Sequence, residues 1–338
     1  MRAWVVPAGA TTVDNLRQVD LPDRAPGPGQ VQVRVRAVSL NYRDHLIVNG
    51  TYFTGPVTRD LVPLSDGAGD VIAVGDGVSR LRVGDRVAAT FFQRPTNGQT
   101  GGAPAALGAA PLDGMLAEHV TLSEDGWVPI PPALSFEEAA CFPCAGVTAW
   151  HALFHAGRPI KSGDTVLALG TGGVSTFALL FARAAGARVI ATSSTDEKLD
   201  RVTRLGASEA INYRRTPDWD KEVVRLTSGR GVDCVIEVGG AGTLAKSIQA
   251  VAREGKVCLI GFLAGRDGDT SPFGLMGKAA SMHGIFVGDR PMFEAMNRAV
   301  AVNRIRPVVD RIFAFDEAVA AYKYQASGAF IGKVVITV

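Results

Sequence analysis

Apolar positions in this chain change their period once, and the change divides it. Up to about residue 130 they come in short alternating runs, such as Val31–Val38, Asp70–Val74 and Arg86–Thr90, broken by turns like Gly75–Asp85. That pattern predicts a strand-rich region. From Ser135 it becomes helix and strand in alternation. Helices are expected over Ser135–Cys141 and Gly146–Ala156, and strands starting at Thr165, Arg188, Ala210, Val232 and Lys256. Such alternation belongs to a parallel, doubly wound sheet with helices on both faces. The C-terminal part predicts helices over Met292–Val302 and Asp316–Gln325 and a closing strand Lys333–Val338. Gln93–Leu112 has no apolar period and much Gly, Ala and Pro, and is expected to be a long surface loop.

The stretch 165–194 carries the sharpest chemistry. An apolar run, Thr165–Leu169, ends in Gly170, Gly172 and Gly173. Val174, Phe177, Ala178, Phe181 and Ala185 then fall on one helical face, Gly186 offers a left-handed stop, and Arg188–Thr192 resumes as a strand. A glycine turn between strand and helix lets backbone N–H groups and the helix dipole receive a pyrophosphate. Ser175 stands where the third glycine of the dinucleotide fingerprint would be, and a small residue there can still pack close to the sheet. The second strand ends Thr192-Ser193-Ser194-Thr195, with no acid before Asp196. Hydroxyls in place of a ribose-binding carboxylate admit a 2′-phosphate, and Lys198 follows, so NADP is favoured over NAD. Asp196 and Glu197 can equally open the next helix.

Composition narrows the class. The chain has 338 residues, long enough for two cores, with 47 % hydrophobic and 20 % charged residues. A net charge of +2 gives no basic patch for nucleic acid or an anionic membrane. No apolar stretch approaches the ~18 residues of a membrane span, and the N-terminal MRAWVVPAG reads as a first strand rather than a leader. Four cysteines make no disulfide framework, so a reducing cytoplasm is expected.

Taken in order, Asn41-Tyr42-Arg43-Asp44, Asp66-Gly67-Ala68-Gly69, Gly84-Asp85-Arg86-Val87, the run Cys144–Trp150, the 170–175 turn and the run Gly332–Ile336 resemble the medium-chain dehydrogenase/reductase superfamily across nearly the whole chain. The resemblance implies an α/β fold, a Rossmann sheet inserted into a chaperonin-10-like (GroES-like), strand-rich catalytic domain. The catalytic domain would take 1–145 and 290–338, and the NADP-binding domain 146–289. Relatives commonly pair, so a homodimer is expected by analogy.

The superfamily divides on zinc. Where its zinc enzymes place a first cysteine ligand this chain has Asn41, their histidine falls at Ser65 and its adjacent acid at Asp66; Cys144 alone keeps a ligand position. One cysteine and one displaced acid do not make a catalytic zinc site, and the cysteine-rich structural lobe has no counterpart near 90–115. No metal is expected, and Cys141-Phe142-Pro143-Cys144 reads as incidental.

Within the zinc-free branch the chain resembles NADPH:quinone oxidoreductases and enoyl reductases, through Asn41, Asp44 and Tyr52 and through Lys198 and Tyr213 at the 2′-phosphate. The resemblance places Gly170, Gly172, Gly173 and Val174 at the pyrophosphate, and Ser193 and Ser194 at the ribose phosphate. It places Val238, Gly239, Gly261 and Phe262 along the riboses, Phe286 and Val287 at the carboxamide, and Lys333 near the nicotinamide, with Thr148 as a hydrogen-bonding partner of the cofactor. It implies hydride transfer from NADPH to a quinone or α,β-unsaturated carbonyl, a small electron-poor substrate, without metal. Asn41 would orient substrate or nicotinamide, and Tyr42 or Tyr52 would donate a proton, unless either tyrosine only packs at the pocket mouth. Arg43 would meet a negative substrate group or pair with Asp44. His45 and His119 read as structural, and Phe91 and Phe92 as pocket wall or core. Two alternatives stay open: a zinc-type alcohol dehydrogenase relative acting on alcohols or aldehydes, and an NADPH-binding protein without catalysis.

Overall fold

A computed structural model describes residues 1–93, 105–268 and 270–338. They form two compact units, Met1–Val147 with Gly288–Val338, and Thr148–Val287.

The second unit holds a six-stranded sheet, all parallel, in the order Glu209–Asn212, Arg188–Ser193, Thr165–Ala168, Val232–Glu237, Val251–Leu259, Ser281–Gly284. The order reverses between Thr165–Ala168 and Val232–Glu237, which makes a topological switch point at their carboxyl ends. Every residue of Thr165–Ala168 is buried, so side chains on both faces of the sheet are covered, which is why it reads as a near-continuous apolar run. The helix Gly173–Ala184 follows at once, with Phe177 and Phe181 stacked 5.6 Å apart and almost fully buried. Each contributes roughly 2–3 kcal/mol of burial. The helix stops where Gly186 takes φ of +78°, as the apolar pattern predicts. The strand Val251–Leu259 begins five residues before the expected Lys256.

The first unit is built on a seven-stranded sheet. Its strands run Val309–Ala314, Lys333–Thr337, Gln30–Ser39, Asp66–Val74, Arg86–Ala89 and Trp127–Pro129, with His119–Ser123 also paired to Gln30–Ser39. The first two are parallel and the remaining pairs antiparallel. The glycine motif at 66–69 has a packing reason: a Cβ on Gly69 would stand 2.0 Å from the carbonyl oxygen of Arg34 on the neighbouring strand. Val33, Leu61, Leu64, Met115, Trp127 and Tyr322 fill the core.

Two expectations need correction. The helix expected over Ser135–Cys141 is shorter, Phe136–Ala139, and the chain continues through a π-helical turn, Phe142–Gly146. Pro143 has no N–H to donate and so does not continue a regular helical ladder. The loop expected over Gln93–Leu112 is not a surface loop in its described part. Gln93 is buried, Ala105–Ala106 pairs with Phe92–Gln93, and Leu107 and Ala109 join the core. Small residues allow this: a Cβ on Gly108, at φ of +66°, would meet the backbone of Leu64 at 2.7 Å. The rest of that expectation, residues 94–104, lies outside the described residues.

Candidate active site

In the first unit, the strand Gln30–Ser39 turns into the seven-residue helix Tyr42–Val48 with Asn41 at its cap. Asp44 accepts a hydrogen bond from the Asn41 backbone N–H at 2.7 Å, which fixes the turn. Lys333, at the start of the last strand, is almost wholly buried and reaches back to this turn. Its Nζ donates to Leu40 O at 2.7 Å and to Asn41 Oδ1 at 2.6 Å, and lies 3.7 Å from Asp66 Oδ2. Asp66 is fully buried, accepts from Ser65 Oγ at 2.7 Å, and from the Cys144 N–H at 3.2 Å, which the π turn aims at it. Burial raises the Asp66 pKa, and the Lys333 ammonium opposes that rise. Because the Asn41 carbonyl oxygen accepts from Lys333, its amide group is left as the donor end, pointing 3.5 Å from Ser65 Oγ.

Beside this cluster lies an ion pair. Arg43 and Asp44 are both buried, with Nη1 3.4 Å from Asp44 Oδ1 and donating to Leu107 O at 2.9 Å. Burial drives the Asp44 pKa from 3.8 up to about 6, against the pull of Arg43. The thiols are inert: burial pushes Cys141 to about 12 and Cys144 higher still. Tyr42 is half exposed, while Tyr52 is buried with its ring against the Arg43 guanidinium. Phe91 is core, with its ring also facing Arg43, and Phe92 packs edge-on against it. His119 pairs with Asp23 at 2.7 Å, and His45 packs edge-on against Tyr322.

The second unit gathers its sequence-predicted residues at the carboxyl ends of the parallel strands. Gly170 takes φ of +73°, and neither Gly170 nor Gly172 has an atom within 4 Å of where a Cβ would stand, so open space lies over the turn. No side chain caps the helix Gly173–Ala184, whose first N–H groups, beginning at Gly173 and Val174, have no partner within the helix. Ser175 replaces the third glycine without penalty: it is buried and donates to Leu169 O at 2.6 Å. Gly170 N–H donates to Thr192 Oγ1 at 3.2 Å, and Thr171 and Ser193 hydroxyls lie 3.4 Å apart. Ser194 and Lys198 are half-buried and Tyr213 is exposed, its N–H donating to Ser193 O at 3.1 Å. Asp196 does begin the helix Asp196–Arg204, and its carboxylate is engaged by Asn212 Nδ2 at 2.9 Å and Arg215 Nη1 at 2.5 Å. Those two partners, Asn212 foremost, hold it below the usual carboxylate range.

Two residues of this unit escaped the sequence reading. Glu237, fully buried at the end of its strand, accepts from the N–H groups of Gly239 (2.7 Å) and Gly240 (3.0 Å), from Thr243 Oγ1 (2.7 Å) and from Ser247 Oγ. It thereby sets the course of Val238–Gly240. A lone acid closing an apolar run was the available signal. The second is His151, whose Nδ1 lies 2.6 Å from the carbonyl of Val287, a non-glycine residue held at φ of +52°. Thr148 is buried, Gly261 would bring a Cβ to 2.7 Å from Val238 O, Phe262 has Arg266 over its ring, and Phe286 is exposed.

Comparison with known proteins adds to this geometry. Residues 27–132 match the alcohol dehydrogenase GroES-like domain, and residues 173–301 match the zinc-binding dehydrogenase family. A zinc-type alcohol dehydrogenase-like protein of Schizosaccharomyces pombe is 45 % identical over 321 residues, covering 92 % of this chain and 91 % of that protein. Among solved structures, an NAD-dependent alcohol dehydrogenase superposes with a TM-score of 0.91 at 33 % identity, over 100 % of both chains. The crotonyl-CoA carboxylase/reductase AntE in complex with NADP gives a TM-score of 0.88 at 25 % identity, over 100 % of this chain and 94 % of that one.

Proposed function

The chain belongs to the medium-chain dehydrogenase/reductase superfamily, and on that premise we propose that it is an NADPH-dependent reductase of quinones or α,β-unsaturated carbonyls that works without metal. The observation that carries the metal-free reading is the position of Lys333. Its ammonium stands 2.6 Å from Asn41 Oδ1 and 3.7 Å from Asp66, so a cation of the protein's own already neutralises the buried carboxylate. Around it the donors are a carboxamide, a hydroxyl, one carboxylate and one thiol whose ionisation burial opposes. That set does not suit catalytic zinc, which needs three anionic or imidazole ligands. Among the described residues no three His, Cys, Asp or Glu side chains are grouped to hold a metal ion.

The residues present fit a phosphorylated dinucleotide. Open space over the Gly170–Gly172 turn and the uncapped helix suit a pyrophosphate. At the ribose end Ser193, Ser194, Lys198 and Tyr213 would hold a 2′-phosphate, and Thr195 Oγ1 is buried with no partner among the described residues. Asp196, the first acid after the strand, is turned to Asn212 and Arg215. One structural neighbour, AntE, is in complex with NADP, and another is an NAD-dependent alcohol dehydrogenase, so the choice of NADP rests on this chain's own residues. Val238, Gly239, Gly261 and Phe262 would flank the riboses, and Thr148, Phe286, Val287 and Lys333 the nicotinamide. When bound, NADPH supplies a hydride. Asn41, oriented by Lys333, presents its amide N–H group to the acceptor carbonyl or the carboxamide, and Tyr42 or Tyr52 supplies the proton that completes the reduction. The partners on this reading are a small electron-poor acceptor and a second copy of the chain, in the cytoplasm; among the described residues no helix is long and apolar enough to cross a membrane.

The test is NADPH oxidation by a panel of quinones and enones before and after exhaustive chelation, with elemental analysis of the protein. Turnover that survives chelation is the expected result. Loss of activity restored by zinc would establish the alcohol dehydrogenase alternative, and tight NADPH binding with no turnover of any acceptor would establish the non-catalytic one.

A further inference from the structure

The Arg43 guanidinium is built into the first unit in an unusual way. The residue is 8 % exposed, and its guanidinium carbon lies 5.1 Å from the ring centre of Tyr52 and 4.8 Å from that of Phe91. One nitrogen, Nη1, is used: it donates to Leu107 O at 2.9 Å and makes a long 3.4 Å contact to Asp44. The other two, Nε and Nη2, are buried and have no hydrogen-bond partner among the described residues. These two are not scattered. They form one edge of the guanidinium, two parallel N–H groups spaced as the two oxygens of a carboxylate are.

A buried donor without a partner costs free energy, more so when it carries charge. Two such donors on one edge, flanked by aromatic faces that keep the charge dry, have the form of a socket awaiting an anion. Lysine would not make that fork. The polar neighbours are Asp44, whose contact with the guanidinium is long, and the Tyr52 phenol, which approaches the guanidinium closely enough to act on it as a loose hydrogen-bond partner; both help hold Arg43 charged despite its burial. Tyr52 lies buried beside the guanidinium, while its neighbours Thr51, Phe53 and Thr54 are exposed.

We propose that the Nε–Nη2 edge of Arg43 binds a carboxylate on the acceptor, so that the substrate is an anionic enone or quinone rather than a neutral one. The inference rests on the reductase reading for the word acceptor, but not for the word carboxylate. Arg43 on this view sets specificity by the charge-assisted pair that the acid makes and its ester does not.

The experiment compares acetylacrylate, an enone carrying a carboxylate, with its methyl ester as NADPH-dependent substrates of the wild type, Arg43→Lys and Arg43→Met. In parallel, levulinate and its methyl ester are titrated calorimetrically into the NADP⁺-loaded proteins. The wild type is expected to favour acid over ester in kcat/KM by roughly 10- to 100-fold, the worth of a charge-assisted bidentate pair. Arg43→Lys should lose about tenfold of that ratio and Arg43→Met all of it, with levulinate affinity falling in the same order. Should neither acceptor turn over while levulinate binds the wild type and not Arg43→Met, the anion site stands and the reductase reading falls. An acid-to-ester ratio near one in the wild type overturns the proposal even if both variants fail to fold. So does a ratio, or a levulinate affinity, unchanged in folded Arg43→Lys, since Arg43 would then be only a strut between Asp44 and Leu107.

Discussion

Lys333 Nζ donates at 2.6 Å to the side chain of Asn41, a residue 292 positions earlier in the chain. The last strand and the turn after Gln30–Ser39 are thus locked by one ammonium, which also offsets the buried charge of Asp66.

Removing that ammonium strands a carboxylate. Lys333→Met is expected to cost about 3–5 kcal/mol, the toll of leaving one member of a buried pair uncompensated. Lys333→Met combined with Asp66→Asn should recover more than half of it, because the charge that needed a partner is gone. Denaturant unfolding of the three proteins checks the cycle, and no recovery in the double variant would mean that Lys333 acts through Leu40 and Asn41 alone.

Asp44 gives stability a pH signature. Its pKa in the folded protein is raised from 3.8 to about 6, chiefly by burial, so between those values the folded state binds more protons than the unfolded chain. Stability therefore falls as pH rises from about 4 to 6 and levels off above. Asp66, raised by burial too, adds in the same sense. Asp44→Asn should flatten the fall measurably in chemical denaturation at a series of pH values; a variant with an unaltered profile would assign the window to Asp66.

The parallel sheet was legible because its signal is local. Thr165–Ala168, the glycines and the helix Gly173–Ala184 follow one another in the chain, and each announces itself by period or by conformational need. The strand-rich unit was legible in kind, through alternation and turn residues. What the chain could not display was which side chains meet. Lys333 and Asn41 join across almost the full length of the sequence. Tyr42 and Arg43 are neighbours of opposite fate, half exposed and buried, and a helix of seven residues is too short for its apolar face to be read in advance. Leu107 and Ala109 looked like loop because the Gly, Ala and Pro around them carry little hydrophobic pattern, although the missing side chain of Gly108 is what lets the backbone pack on Leu64. Val287 gave no hint of its positive φ, nor of the contact that its carbonyl makes with His151, 136 residues away.

Coenzyme choice should turn on the end of the strand Arg188–Ser193. Lys198→Ala is expected to weaken NADPH by roughly tenfold, about 1.4 kcal/mol, and leave NADH nearly unaffected, since a charge-assisted contact to phosphate is worth about that much. Arg215→Ala should act in the same direction by a second route, releasing Asp196 from its 2.5 Å contact to face the phosphate. Fluorescence titration with both coenzymes decides: equal losses for NADPH and NADH in Lys198→Ala would remove the 2′-phosphate from this pocket.

Glu237 makes the sharpest structural demand on the cofactor unit. Its carboxylate receives four donors, two of them backbone N–H groups at Gly239 and Gly240, and the loop they define carries Val238. Glu237→Leu keeps the volume and removes every acceptor. The hydroxyls of Thr243 and Ser247 can rotate toward other partners, but the two N–H groups cannot, so a loss of about 3–5 kcal/mol is expected. Glu237→Gln retains one carbonyl acceptor, which serves the backbone pair, and its amide can donate to Ser247 instead of accepting from it; the expected loss is about 1–2 kcal/mol. NADPH affinity should follow the same order, because the loop rather than the carboxylate would touch the cofactor. Calorimetric melting and NADPH titration on both variants separate these roles: equal destabilisation by Gln and Leu would mean that charge, not acceptor geometry, holds Val238–Gly240 in place.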